Sequence, residues 1–300
     1  MAYMPLDKSK LYLNTSKMAK IYDLSAPWGV DTPLWPFPGP RSDLAFPRGQ
    51  YLERFHKRTN TYTGTLHAGT HVDAPNHTLH EEEVDRERYG YTLAELPLEH
   101  CVGTGVILDM RWLHDEFEAK WNAAAGDPKK FGNIWYELKP EDFEKALKKD
   151  NLEIRENDWV VVNTGFHHYW RINNDKYFNY YPGLGPDVTK WLVFEKHIKG
   201  ISGTWGATDA PLWHHPLKEQ MPWLEANYRT ATGLDAAVTH PDYEFCHRLC
   251  GQYGIIAVEN AGGDIDECTG RRMIICAFPF RCEMADGGFT RLVAWEPGSF

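Results

Sequence analysis

Trp159-Val-Val-Val-Asn163 sets four apolar residues in a row with no polar alternation. A strand with one wet face alternates apolar and polar residues, whereas a strand covered on both faces reads as an unbroken apolar run. Gly254-Ile-Ile-Ala-Val258 has the same character, and Gly105-Val-Ile-Leu-Asp109 and Ile198-Lys-Gly-Ile-Ser202 are two further short apolar runs. Stretches of helical period lie between them. Pro140-Glu-Asp-Phe-Glu-Lys-Ala-Leu-Lys-Lys149 starts on proline and places apolar residues at 143, 146 and 147. Residues 187–196 repeat the pattern through Val188, Trp191, Leu192 and Phe194. Residues 241–250 do so through Phe245, Cys246 and Leu249, and Gly251 is the expected stop. Strands alternating with helices predict an α/β domain built on a mixed sheet flanked by helices.

The end of the chain differs. Arg271-Arg-Met-Ile-Ile-Cys-Ala-Phe278 and Phe289-Thr-Arg-Leu-Val-Ala-Trp295 have the look of an antiparallel pair, with Asp286-Gly287-Gly288 as a tight turn between them. Prolines at 33, 36, 38, 40 and 47 mark residues 31–47 as an ordered loop or arm. Residues 111–133, 166–185 and 213–229 are rich in Trp or Tyr and have the character of insertions that wall a pocket or build an interface. There is no internal repeat and no low-complexity linker. The expected organisation is an N-terminal arm over 1–21 and one domain over 22–300.

Composition narrows the partners. A formal net charge of −10 lacks the basic footprint that nucleic acid requires. No stretch approaches the roughly 18 apolar residues that span a membrane, and the first residues lack a signal-peptide core. Six cysteines without a Cys-x-x-Cys pair fit reduced thiols, so a cytoplasmic protein is expected. The 12 Trp, 15 Tyr and 14 Phe are more than a core alone calls for, and such rings also line apolar pockets and interfaces.

The chemistry concentrates in Leu66-His67-Ala-Gly-Thr-His71-Val-Asp73-Ala-Pro-Asn-His77, which holds three histidines and an aspartate in eleven residues. Imidazole with carboxylate suits Zn, Mn, Fe or Co. Positions 67, 69, 71 and 73 share one parity and would face one side of an extended segment. A straight strand would hold 67 and 73 about 20 Å apart, too far for one ion. The chain must therefore curl, and Gly69 is where it can. Three ligands with an open position is the pattern of a catalytic metal, whereas structural zinc favours closed sites rich in cysteine. Surface or hydrogen-bonded core histidines are the plainer alternative, which four ligand groups at this spacing outweigh.

The segment His-Ala-Gly-Thr-His-Val-Asp-Ala-Pro-Asn-His resembles the His-x-Gly-Thr-His-x-Asp-x-Pro-x-His pattern of the cyclase family. That family includes bacterial kynurenine formamidases, isatin hydrolases and enzymes that open lactams and lactones. His247 followed by Glu259 matches a second family feature, a His on a helix and a Glu twelve residues later on a strand. The resemblance extends from Tyr22 to about Trp295, interrupted by the three insertions. It implies a swivelling β/β/α-like fold, with His67, His71 and Asp73 as ligands and His77 as the proton-transfer group. It also implies that His247 and Glu259 complete the site, for one or two Mn or Zn ions per chain, and that the chain assembles as a homodimer or homotetramer. The formamidases are shorter than this chain, so their name is not transferred.

The expected reaction is hydrolysis of an amide, formamide, lactam or lactone by a metal-activated water, with His77 moving the proton. No Gly-x-Ser-x-Gly nucleophile is present. The expected substrate is a small cyclic or aromatic molecule, with Trp28, Trp35 and Trp205 as candidate pocket walls. Asp209, in Gly203-Thr-Trp-Gly-Ala-Thr-Asp-Ala-Pro211, is a candidate for orienting a ligand or contacting substrate. His80, His214, His215 and His240 are taken as bystanders. Two competing readings are a non-haem iron oxygenase using His71 and Asp73, and a non-catalytic metal-binding module.

Overall fold

The computed structural model describes residues 19–29, 31–35, 50–52, 57–59, 64–130, 136–214 and 221–299. Most of the N-terminal arm, residues 36–47 of the proline-rich stretch, His215 and parts of two insertions (131–133 and 215–220) lie outside the described residues. The last arm residue, Ile21, already belongs to a strand.

Nine strands form one mixed sheet. In chain order they are β1 (Ile21–Asp23), β2 (His71–Asp73), β3 (Val102–Asp109), β4 (Trp159–Asn163), β5 (Gly200–Gly203), β6 (Ile256–Glu259), β7 (Arg271–Cys276), β8 (Gly287–Phe289) and β9 (Val293–Trp295). Their spatial order is β1-β9-β7-β3-β4-β5-β6-β2-β8. The four apolar runs of the sequence are the four strands β3, β4, β5 and β6, which lie side by side and parallel. Helices Pro140–Asp150, Pro186–Lys190 and Phe245–Gln252 occupy the crossovers between them, the second prolonged by one π-helical stretch, Trp191–Glu195.

Pleating splits the core in two. Val106, Leu108, Val160, Val162, Ile201 and Ala257 face one layer with Phe143, Val188, Leu192 and Leu224 of the helices. Ile107, Trp159, Val161, Ile256 and Val258 face the other, with Val72, Met273, Ile275 and Ala294 from the remaining strands. The second layer is enclosed by the sheet itself. β8 is the strand at one end of the order and β9 lies next to the other end, yet only residues 290–292 join them. Such a link spans about 14 Å at most, so the sheet has to curl until its ends meet. Leu24 N–H donates to Leu292 O at 2.9 Å, and Thr290 N–H to Thr70 O at 3.3 Å, where the ends come together.

Two expectations are corrected. β7 and β9 do pair antiparallel, with Ile275 opposite Ala294. Gly287-Gly288 is not their turn, however. It is strand, paired with β2 so that Gly287 faces Asp73. The glycines serve close approach: a Cβ on Gly287 would lie 2.5 Å from His67 Cε1, and one on Gly288 2.5 Å from Leu93 Cδ2. The helix expected over 241–250 begins only at Phe245, because Glu244 is left-handed at φ 50°. The six cysteines are free, and Cys101, Cys246, Cys250, Cys268 and Cys276 are buried. Among the described residues, no helix is long and apolar enough to cross a membrane.

Candidate metal centre

β2 lies between β6 and β8, antiparallel to both. Strand alternation sends Val72 into the core and leaves His71 and Asp73 on the opposite face. The register sets Glu259 directly across from His71, so the two side chains share that face. Before β2, Gly69 takes φ +63° and reverses the chain, which returns His67 towards Asp73. A Cβ there would also meet Trp28 Cδ1 at 2.6 Å. After β2, extended Ala74 leads into a 3-10 turn, Pro75–His77, which brings His77 back. The rings of His67 and His77 stack with centroids 4.0 Å apart.

The imidazoles are oriented from behind. His71 Nδ1 lies 2.8 Å from Gly69 O. A carbonyl only accepts, so Nδ1 carries the proton and Nε2 presents its lone pair. That Nε2 is 3.3 Å from Asp73 Oδ1 and 3.7 Å from Glu259 Oε2. His67 Nδ1 is 2.9 Å from Asp73 Oδ1, and its Nε2 is 3.2 Å from Asp286 Oδ2. His247 Nε2 is 2.9 Å from Glu259 Oε1 and 3.7 Å from Asp73 Oδ2. The other nitrogen of His247 is held by Asp209, 2.6 Å away. Asp209 also takes the N–H groups of Cys246 and His247 in the first turn of the helix. His77 Nδ1 is 3.5 Å from Asp286 Oδ2.

The donor set calls for a cation. His67, His71 and Asp73 form one group of mutually close donor atoms, and Asp73, His247 and Glu259 form another that shares Asp73. Asp73 Oδ2 is buried without a hydrogen-bond partner, a costly state for a polar atom unless an ion completes it. Among the described residues, no Lys or Arg lines the adjoining cavity. Without a cation, protons have to balance the carboxylates. Burial would lower the His67 imidazole, but the bonds to Asp286 and Asp73 push it up to about 10. Burial would raise the Asp73 carboxyl, but His71 and His67 hold it well below its usual range. Burial likewise opposes, and Asp209 and Glu259 reverse, the shift of His247, which is raised. Carboxylate and imidazole donors together fit a divalent metal ion.

These groups open on a cavity of about 240 Å³. His67, His71, His77, His247 and Glu259 form one wall, with Trp35, Phe178, His214, Glu244 and Asn260 also lining it. Of the tryptophans expected at the pocket, Trp35 is on the wall. Trp28 is outside the lining and packs on Gly69 and Phe289, with ring centroids to the latter 4.5 Å apart. Trp205 is corrected: it is fully buried beside Gly203 in the helix-covered core, where every neighbour is protein. Asp209 is likewise fully buried; its carboxylate reaches the site through His247 and its carbonyl lies 3.1 Å from His214 Nε2. His214 is corrected from bystander to cavity wall, 2% exposed, with Nδ1 3.4 Å from Glu244 Oε1. His240 instead pairs with Glu137 at 3.0 Å, away from the cluster.

Asp286, Glu244 and Asn260 carried no signal as site residues. Asp-Gly-Gly has the composition of a turn, which hides Asp286. Asn260 is left-handed at φ 59° and donates to Gly69 O at 3.0 Å, bracing the turn before His71.

The Cyclase family model matches residues 22–210. No curated protein matches this sequence. Isatin hydrolase A from Labrenzia aggregata, solved with benzyl benzoate bound, is 21% identical at a TM-score of 0.67, covering 94% of this chain and 96% of its own. Isatin hydrolase A from Ralstonia solanacearum is 18% identical at a TM-score of 0.68, covering 92% of each chain. A potential metal-dependent hydrolase with cyclase activity is 16% identical at a TM-score of 0.54, covering 92% of this chain and 98% of its own. At these identities the likeness establishes the fold.

Proposed function

This chain belongs to the cyclase family, and from that premise we propose that it is a metal-dependent hydrolase opening an amide, formamide, lactam or lactone bond of a small cyclic or aromatic substrate. The carrying observation is the pair of donor groups that share Asp73, set beside the cavity that His77 lines. A divalent cation held by His67, His71 and Asp73, with His247 and Glu259 for a second, would polarise the scissile carbonyl and acidify a water.

The remaining roles fall to the protein's own groups. Asp286 lies against Nδ1 of His77, which leaves Nε2 as the nitrogen free to take the proton of the attacking water. The same Nε2 returns it to the departing nitrogen or oxygen. Stacking on His67 fixes the ring plane of His77. Trp35 and Phe178, ring centroids 5.6 Å apart and edge to face, offer a flat apolar subsite and limit water. Assembly as a homodimer or homotetramer belongs to the same reading.

Elemental analysis of dialysed protein, followed by a panel of cyclic amides, aryl formamides and lactones, tests this. About one or two Zn or Mn per chain with turnover is the expected result. Stoichiometric iron would favour the oxygenase reading, and no retained metal after reconstitution would end the proposal.

A further inference from the structure

A second group of metal donors lies away from this cavity. β4 ends at Asn163, and Gly165 at φ +83° turns the chain into the 3-10 segment Phe166–Tyr169. That turn displays His167 and His168 side by side. After β6, the short helix Ile265–Cys268 presents Asp266 to them. His168 Nε2 is 2.8 Å and His167 Nε2 3.3 Å from Asp266 Oδ2. None of the three lines the catalytic cavity.

The two oxygens of Asp266 are divided. Oδ1 accepts from Asn163 Nδ2 at 2.8 Å and from Arg111 Nη1 at 3.4 Å. Oδ2 is left to the two imidazoles. Arg111 reaches only Oδ1, at 3.4 Å, because Asp109 takes its Nε and Nη2 at 2.9 Å each. His167 is under-bonded: its side chain is 9% exposed and its Nδ1 has no hydrogen-bond partner. Donor atoms around a tetrahedral zinc sit about 3.3 Å apart for bonds of about 2.0 Å, and the two His–Asp266 distances, 2.8 and 3.3 Å, are close to that spacing.

We infer that His167, His168 and Asp266 form a separate binding site for a divalent transition ion such as Zn2+. Half-exposed His168 leaves the fourth position to solvent. The ion would tie the turn after β4 to the helix after β6, and so anchor the start of the aromatic-rich segment 166–185.

The test compares wild type with His168→Ala, both equilibrated against buffered free Zn2+ and assayed for zinc per chain. His168 is half exposed, so its loss leaves the fold intact; His168→Gln is the companion variant should Ala fold poorly. Wild type should hold one equivalent more than either variant, and its Tm should rise further on adding ZnCl2. Zinc at His71 and Asp73 is common to all three proteins and cancels in the difference, so this outcome is independent of the catalytic reading. Superimposable zinc isotherms would overturn the inference.

Discussion

Asp209 and His247 are bonded twice: one oxygen of the carboxylate takes both the backbone N–H of His247, at 2.9 Å, and its ring Nδ1–H, at 2.6 Å. The carboxylate therefore fixes the place of the helix and the tautomer of its histidine together, which aims Nε2 at Glu259 and Asp73. Groups that orient ligands in this way typically matter about 10–100-fold to metal affinity. Asp209→Asn should weaken the metal at Asp73, His247 and Glu259 by that order while leaving secondary structure intact. Competition with a chelator measures it; unchanged affinity would make Asp209 a helix cap and nothing more.

The ligands and the proton-transfer group should separate in their effects. Asp73→Asn and His71→Ala are expected to lose both metal and turnover. His77→Ala should keep its metal and lose about 10²–10⁴-fold in kcat, the usual contribution of a positioned acid or base. A fully active His77→Ala protein would remove its role.

Gly287→Ala should damage the site more than the fold. The new methyl would lie 2.5 Å from His67 Cε1, and over-packing of this kind costs about 1–3 kcal/mol. Metal content should fall more sharply than Tm. Gly262→Ala is the control, because its Cβ would meet nothing closer than 3.6 Å.

Acid should remove part of the stability at the end of β3. Burial would raise the Asp109 carboxyl, but hydrogen bonds from Arg111 and Lys149 outweigh it and hold it well below its usual range. A carboxyl lowered on folding contributes its full share above its unfolded pKa, about 3.9, and loses that share as pH falls towards the folded value. The Tm gap between wild type and Asp109→Asn should thus be constant from pH 7 to about 5 and narrow below about 4. A gap that widened in acid would contradict the sign.

Much of this was legible because it is local. Trp159–Asn163 is strand by composition alone, since both of its faces are covered. His67, His71, Asp73 and His77 stand within eleven residues, and Gly69 marks their turn. What could not be read depends on distant partners. Gly287-Gly288-Phe289 has no alternation to announce a strand, and only its pairing with His71–Asp73 makes it one. Asp286 enters the site through that pairing. His214 reaches the cavity against Glu244, whose left-handed backbone no pattern foretells. Trp35 and Trp205 are chemically alike in sequence; packing alone puts one on the cavity wall and the other in the core.

The three-residue link between β8 and β9 has a consequence for how the protein comes into being. During synthesis the motif from His67 to His77 emerges early, yet the strand that flanks Asp73 and delivers Asp286 emerges near residue 287. β9 and β8 must then dock together, β9 between β1 and β7 and β8 at the opposite margin of the sheet. Premature zinc or manganese would meet a half-built cradle, so metal loading should trail translation, and the slow step of maturation should be the seating of the last strands.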